Sequence, residues 1–259
     1  MVDNIKVTGI VISATPVGEY DKRLVILTGQ RGKVTVFAKG ARRPSNRFAA
    51  GSRPFAFGEF TLYQGKSAYN MVDMDISNYF EQLTVDMDAV YYGFYFLELA
   101  DYYSHENVES KEMVNLLYLT LKMLSKSQLP DNYDCRSQNT LQSTISLKLI
   151  RHIYELKMFA INGEYPDVFG CVHCGNKEDL RGFTVDKSGA VCSECMAQSK
   201  DTIEINTSTF YTMQYIISSP VSKLYSFTVT DEVMTELSMV LGRWMSRYVD
   251  KEFKSLEMI

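Results

Sequence analysis

The chain has 259 residues, of which 46% are hydrophobic and 22% charged, and a formal net charge of −4. That length approaches the limit of a single hydrophobic core, so more than one domain is expected, and the apolar content excludes a largely disordered chain. No run nears the ~18 apolar residues of a membrane span, and residues 1–6 lack an apolar leader core, so a cytoplasmic protein with reduced thiols and no membrane partner is expected.

The net charge conceals an asymmetry. Residues 1–80 carry 11 Lys and Arg against 6 Asp and Glu, whereas the remaining residues carry 16 against 25. Opposed halves of this kind suggest that the first meets a polyanion and the second does something else.

Residues 5–13 alternate apolar and polar positions and read as a strand, followed by a turn at Pro16 to Glu19 and a second strand over 22–28. Gly29 to Gly32 is a tight connection into a third strand over 33–38, and 55–63 with 68–76 form a hairpin around 64–67. Five short strands with the longest interruption after the third fit a small barrel of the OB type, and an SH3-like barrel fits the same pattern. From Asp86 the period becomes helical. Residues 86–103 carry Tyr91, Tyr92, Phe94, Tyr95 and Phe96 on nearly every face, which predicts a buried central helix; an apolar groove for a partner peptide is the other reading. Ser110 can cap a helix running to about Ser125, and 126–137 reads as a loop holding a lone Cys135. Leu141, Ile145, Leu149, Ile153 and Leu156 stripe a third, longer helix, and Asp231 and Glu232 open a last one with Arg243 and Arg247 near its C-terminal end. The fold class expected is α+β and multidomain, with a basic OB-fold over 1–80 and an α-helical domain over 81–167 and 202–259. A small four-cysteine module is inserted over 168–201.

Two constellations carry chemistry. Cys171 and Cys174, then 17 residues, then Cys192 and Cys195 make two Cys-x-x-Cys knuckles. Four thiolates so spaced suit one structural Zn²⁺ in a closed, non-catalytic site, against the competing readings of two redox pairs or unrelated buried thiols. His173 then reads as a surface residue. The second constellation is Arg31, Lys33, Lys39, Arg42, Arg43, Arg47 and Arg53, a stretch that contains no acid. Guanidinium forks suit phosphate, and Phe48, Phe55 and Phe57 interleave with the charges and could stack on unpaired bases. A solvated basic loop is the plainer reading. Phosphate-loop, dinucleotide and nucleophile-elbow motifs are absent, and His105, His152 and His173 show no spacing that pairs them with a carboxylate, so no enzyme is expected.

The run from Phe37 to Pro44, with Arg47-Phe48 and Arg53-Pro54-Phe55, resembles the N-terminal signature of the bacterial recombination mediator family RecO. Tyr154 to Lys157, Gly163 to Pro166, the first cysteine knuckle and the tail Lys254 to Leu256 are similar to later segments of the same family. The resemblance implies an OB-fold joined to a helical domain with a zinc module. It implies binding of single- and double-stranded DNA, annealing of complementary strands, and help in loading RecA on DNA coated by single-strand-binding protein. RecR and the C-terminal tail of single-strand-binding protein are the partners it implies, with a nucleoid-associated location. A protein-interaction adaptor and an RNA-binding factor with structural zinc are the rival classes; a metal-dependent hydrolase comes last.

Overall fold

The computed structural model describes residues 4–126, 145–199 and 201–259, and the chain divides into two compact units, 1–133 with 253–259 and 134–252. The loop expected over 126–137, with Cys135, and the helical position Leu141 lie outside the described residues from 127 on.

The first unit is built on β1 (Asn4–Val17), β2 (Asp21–Thr28), β3 (Gly32–Ala38), β4 (Phe57–Gln64) and β5 (Tyr69–Asn78). They close a barrel in the order β1-β2-β3-β5-β4, antiparallel except where β3 meets β5. This is the Greek-key connectivity of an OB-fold. The strand period explains the closure. Val34, Val36 and Ala38 point inward with Leu24, Ile26, Phe60 and Leu62, while Lys33, Thr35 and Phe37 alternate with them on the outer wall. Ile10 and its cross-strand partner Leu27 are buried outside this core, where two helices cover β1 and β2.

Those helices are α1 (Met87–Tyr103) and α2 (Lys111–Lys126). Asp86 caps α1 by accepting from the amides of Asp88 and Ala89. Tyr92, Tyr95, Phe96, Leu99 and Tyr103 of α1 are buried, which is the central helix that the aromatic density predicts. At Gly93 a Cβ would stand 3.0 Å from the Phe55 ring, so the glycine lets the loop after β3 lie down on the helix. The C-terminal segment returns to the same helix: Phe253 packs edge-on against Tyr95, and Ser255 donates from its amide and hydroxyl to the Glu98 carboxylate.

The second unit holds α3 (Leu147–Ile161), a three-stranded sheet of β6 (Leu180–Thr184), β7 (Gly189–Cys192) and β8 (Thr202–Glu204), the short α4 (Ser193–Met196), α5 (Thr207–Ser218) and α6 (Asp231–Tyr248). Helices α3, α5 and α6 pack on one another. Ile145 precedes α3 rather than striping it, because Ser146 takes the N-cap and accepts from the Leu149 amide.

A polar cluster centred on a buried carboxylate joins α3 to α6. Glu155 is fully buried and accepts from Arg151 Nε at 2.7 Å. Against the expectation that no histidine pairs with a carboxylate, His152 Nδ1 stands 2.9 Å from Glu155, one helical turn on. The other imidazole nitrogen of His152 meets Ser238 Oγ at 2.9 Å. Burial alone would raise the Glu155 carboxyl; His152 and Arg151 outweigh it and hold the group below its ordinary value. Replacing Glu155 with Ala removes the buried acceptor that Arg151 and His152 share and is expected to cost about 3–5 kcal/mol in a urea titration. Because the folded value is depressed, the Glu155 contribution is complete well above about pH 4.3 and is lost as pH falls through the folded value. Acid titration of the variant therefore shows a shallower loss of stability than the unaltered chain, and equal slopes would contradict the assignment.

Candidate nucleic-acid interface and metal centre

The basic residues that the sequence singles out fall into three places. Arg31 and Lys33 flank the β2–β3 turn, where Lys33 Nζ donates to the Asp101 carbonyl and carboxylate at 2.8 and 3.0 Å. Backbone bonds from Lys33 to His105, from Asn107 to Arg31 and from Ser110 to Gly29 tie this turn to the α1–α2 connection. Lys39 lies past the other end of β3, about 20 Å away at the strand rise of about 3.3 Å per residue.

At that other end the β1–β2 turn and the exit of β3 meet, because Val17 pairs with Asp21 and Lys22 with Ala38. Lys39, Arg42 and Arg43 are exposed there, and among the described residues none is ion-paired. The Arg42 amide donates to the Tyr20 carbonyl at 2.9 Å and its guanidinium to the Gly18 carbonyl at 3.1 Å. Arg43 lies 4.3 Å over the Tyr20 ring. Lys22 joins this group, donating to the Ser52 carbonyl at 2.7 Å. Burial and the nearby Arg42 charge push its ammonium below the ordinary lysine range. An arriving anion favours the charged form of every cation in this group.

Arg47 and Arg53 form the third place, on the flank by β5. Arg47 pairs with Asp73 at 3.4 Å and donates to the Val72 carbonyl; Arg53 pairs with Glu81 at 3.0 Å and covers Tyr79. Both pairs are solvent-exposed, so phosphate can compete for them.

The phenylalanines correct the sequence expectation. Phe48 is buried in the barrel core and Phe55 is buried against Phe94, so neither offers a free face to a base, while the half-buried Phe57 packs on Tyr118 at 4.5 Å. Their interleaving with arginine reflects a loop that anchors itself by alternate residues.

The cysteines do converge. All four sulfurs lie within 4.8 Å of one another, and Cys174 Sγ stands 3.7 Å from Cys192 Sγ. A tetrahedron with metal–sulfur bonds of about 2.3 Å has edges of about 3.8 Å, so the donor set fits one tetrahedral ion. The first knuckle turns at Gly175, whose φ of 77° is left-handed and whose amide donates to the Cys171 carbonyl at 2.8 Å. Cys192 ends β7 and N-caps α4, which carries Cys195. Burial would raise the Cys171 thiol, but backbone hydrogen bonds from Cys192, Cys174 and His173 bring it down to about 6. Hydrogen bonding with Cys174 and Cys192 pushes Cys195 up to about 12. One thiolate thus resists the next, and a divalent cation removes that conflict. His173 is exposed, bonded to Lys187 and Ser199, and takes no part in the four-sulfur group.

Comparison with known proteins bears on both places. The family description "Recombination protein O N terminal" matches residues 1–80, and "Recombination protein O C terminal" matches residues 139–257. The chain belongs to the RecO family. RecO proteins similar to it include those of Acetivibrio thermocellus, 29% identical over 98% of this chain and 96% of the relative, and Alkaliphilus metalliredigens, 29% identical over 98% and 97%. That of Bacillus subtilis is 25% identical over 96% of this chain and 91% of the relative. All three are titled DNA repair protein RecO.

Within the RecO N-terminal match, sequence reasoning passed over Tyr20, Lys22 and Asn46. The available signal was an exposed aromatic between a turn glycine, Gly18, and the pair Lys22-Arg23, but only the barrel register brings that turn beside Lys39. Among the described residues, no helix is long and apolar enough to cross a membrane.

Proposed function

We propose that this RecO-family chain is a non-catalytic DNA-binding mediator of recombinational repair, cytoplasmic and associated with the nucleoid. The observation that carries the reading is the group of Lys22, Lys39, Arg42 and Arg43 at one end of an OB barrel, with Lys39, Arg42 and Arg43 exposed there. Repair is the role named in the titles of the similar proteins. Phosphates bind Lys39, Arg42 and Arg43 first, with Arg47 and Arg53 joining when DNA displaces Asp73 and Glu81. Arg31 and Lys33 serve the β2–β3 turn more than the DNA. Annealing follows from holding two strands on one cationic surface, and no bond is made or broken. RecR, RecA loading and the tail of single-strand-binding protein complete the reading through the family resemblance. The ion is Zn²⁺, supported by four sulfur donors with tetrahedral spacing, and it fastens the module over 168–201 to the helical domain.

Counterion release gives the test. Fluorescence anisotropy of a labelled single strand, titrated across KCl concentrations, should give a log–log slope of about −2 with three phosphate contacts and about −3.5 with five. The steeper value means that the exposed ion pairs open on binding. A slope near zero would remove the phosphate contacts and the proposed function with them.

A further inference from the structure

A cleft of about 490 Å³ opens beside the cationic group, within the range of about 300–1,000 Å³ seen for small-ligand sites. Glu19, Tyr20 and Asp21 of the β1–β2 turn line it from one strand connection, and Lys39, Arg43 and Asn46 from the other. Its charges balance, two carboxylates against two cations, whereas Arg42 and Lys22 next to it are unbalanced. A phosphate gains most from the unbalanced cations. The cleft suits a neutral, flat, polar group.

Tyr20 and Arg43 supply the flat surface. The Arg43 guanidinium lies 4.3 Å over the Tyr20 ring, and Tyr20 is 41% exposed despite its size. The rest of the cleft is held in place: Gly40 N donates to Asp21 Oδ1 at 2.7 Å, Asn46 Nδ2 donates to the Lys39 carbonyl at 3.3 Å, and Asn46 Oδ1 accepts from Phe48 N at 2.8 Å. Two rigid loops thus present an exposed aromatic–guanidinium pair and a carboxylate edge, Glu19, beside a phosphate-binding surface.

We infer that this cleft is a subsite for one unpaired nucleobase, stacked on the Tyr20–Arg43 pair with an exocyclic amine directed to Glu19 or Asp21. Its ligand is a nucleotide of single-stranded nucleic acid whose flanking phosphates lie on Lys39 and Arg42. Duplex DNA cannot fill it, because pairing occupies the amine edges and stacking occupies the faces. The subsite presupposes DNA binding by the basic loop and adds to it a physical basis for distinguishing single strands from duplex. Glu19 further favours cytosine, adenine or guanine over thymine, which lacks an exocyclic amine.

The test compares Tyr20→Ala, Tyr20→Phe and the unaltered chain on three probes of equal length: an oligo-dC strand, the same backbone with abasic sites, and a duplex. Loss of one base stack should weaken oligo-dC binding about tenfold, while the abasic strand and the duplex change by less than about twofold. Tyr20→Phe should retain oligo-dC affinity. Tyr20→Trp adds a direct readout, quenched by oligo-dC and not by the abasic strand. Equal losses on all three probes, or none on any, would overturn the subsite. If the unaltered chain binds oligo-dC while Tyr20→Ala changes nothing, the subsite alone falls. If the unaltered chain binds no probe, the DNA-binding reading falls and takes the subsite with it.

Discussion

Replacing Lys39, Arg42 and Arg43 together with Glu is expected to lower DNA affinity by at least about a thousandfold at low salt. A phosphate held near 4 Å interacts with a cation by about 1 kcal/mol in water and about 4 kcal/mol at a protein surface, so about tenfold per contact is a moderate figure. Reversal also adds repulsion from three new carboxylates, which raises the loss further. The fold should survive, because all three side chains are exposed and the Arg42 backbone amide keeps its bond to the Tyr20 carbonyl when the exposed guanidinium bond to Gly18 is lost. Arg47 is a worse choice for the same experiment. Glu at that position would face Asp73 directly and strain the barrel wall, mixing a stability effect with a binding effect. Anisotropy on a labelled oligonucleotide, with circular dichroism to confirm folding, gives the answer; a folded triple variant with unchanged affinity would sink the assignment.

How much of this could be read from the chain depended on how local the cause was. The barrel was legible because inward and outward positions alternate within each strand, as Val34, Val36 and Ala38 do against Lys33, Thr35 and Phe37. Strand limits were less so: β1 continues to Val17 through Pro16, because a register shift between Val11 and Ser13 bends it and Pro16 sits near its end. Helix α5 escaped notice altogether. Its Thr, Tyr and Ile content favours strands, and only the burial of Phe210, Met213, Ile216 and Ile217 in the second unit settles it as a helix.

The sites divide in the same way. Cysteine spacing within each knuckle is a local chain property, so the four-sulfur group was fully legible. Charge density around Lys39 to Arg43 was legible as well, but not which cations were already engaged. Lys33 meets Asp101 and Arg53 meets Glu81 through contacts far apart in sequence, and no count of basic residues anticipates them. The aromatics show the same limit. An aromatic beside an arginine in sequence need not be open to solvent: Phe48 lies under the Arg47 guanidinium and is buried with Phe55, while Tyr20, distant in sequence from Arg43, meets it at the barrel end.

Replacing Cys171 and Cys174 with Ser is expected to abolish metal binding and unfold the module while leaving DNA affinity within about twofold. A structural zinc site contributes about 10–16 kcal/mol of apparent binding free energy, as much as the roughly 5–15 kcal/mol that holds a whole domain together. The module has little else to rely on: β6, β7 and β8 hold five, four and three residues, and α4 holds four. Cys171 and Cys192 are themselves part of its small interior, so removing the ion also loosens Val191 and Phe183 beside them. Metal content by atomic emission should fall from one ion per chain to none, and amide exchange should accelerate over 168–199 first. Chelation of the unaltered chain should reproduce both changes, and iron in place of zinc would correct the ion without moving the site. The basic loop is built on the barrel register and its own turns, within the other compact unit. A double variant that kept its module protected would overturn the structural role of the metal, and one that stayed folded yet lost DNA binding would show that the metal serves the nucleic-acid surface.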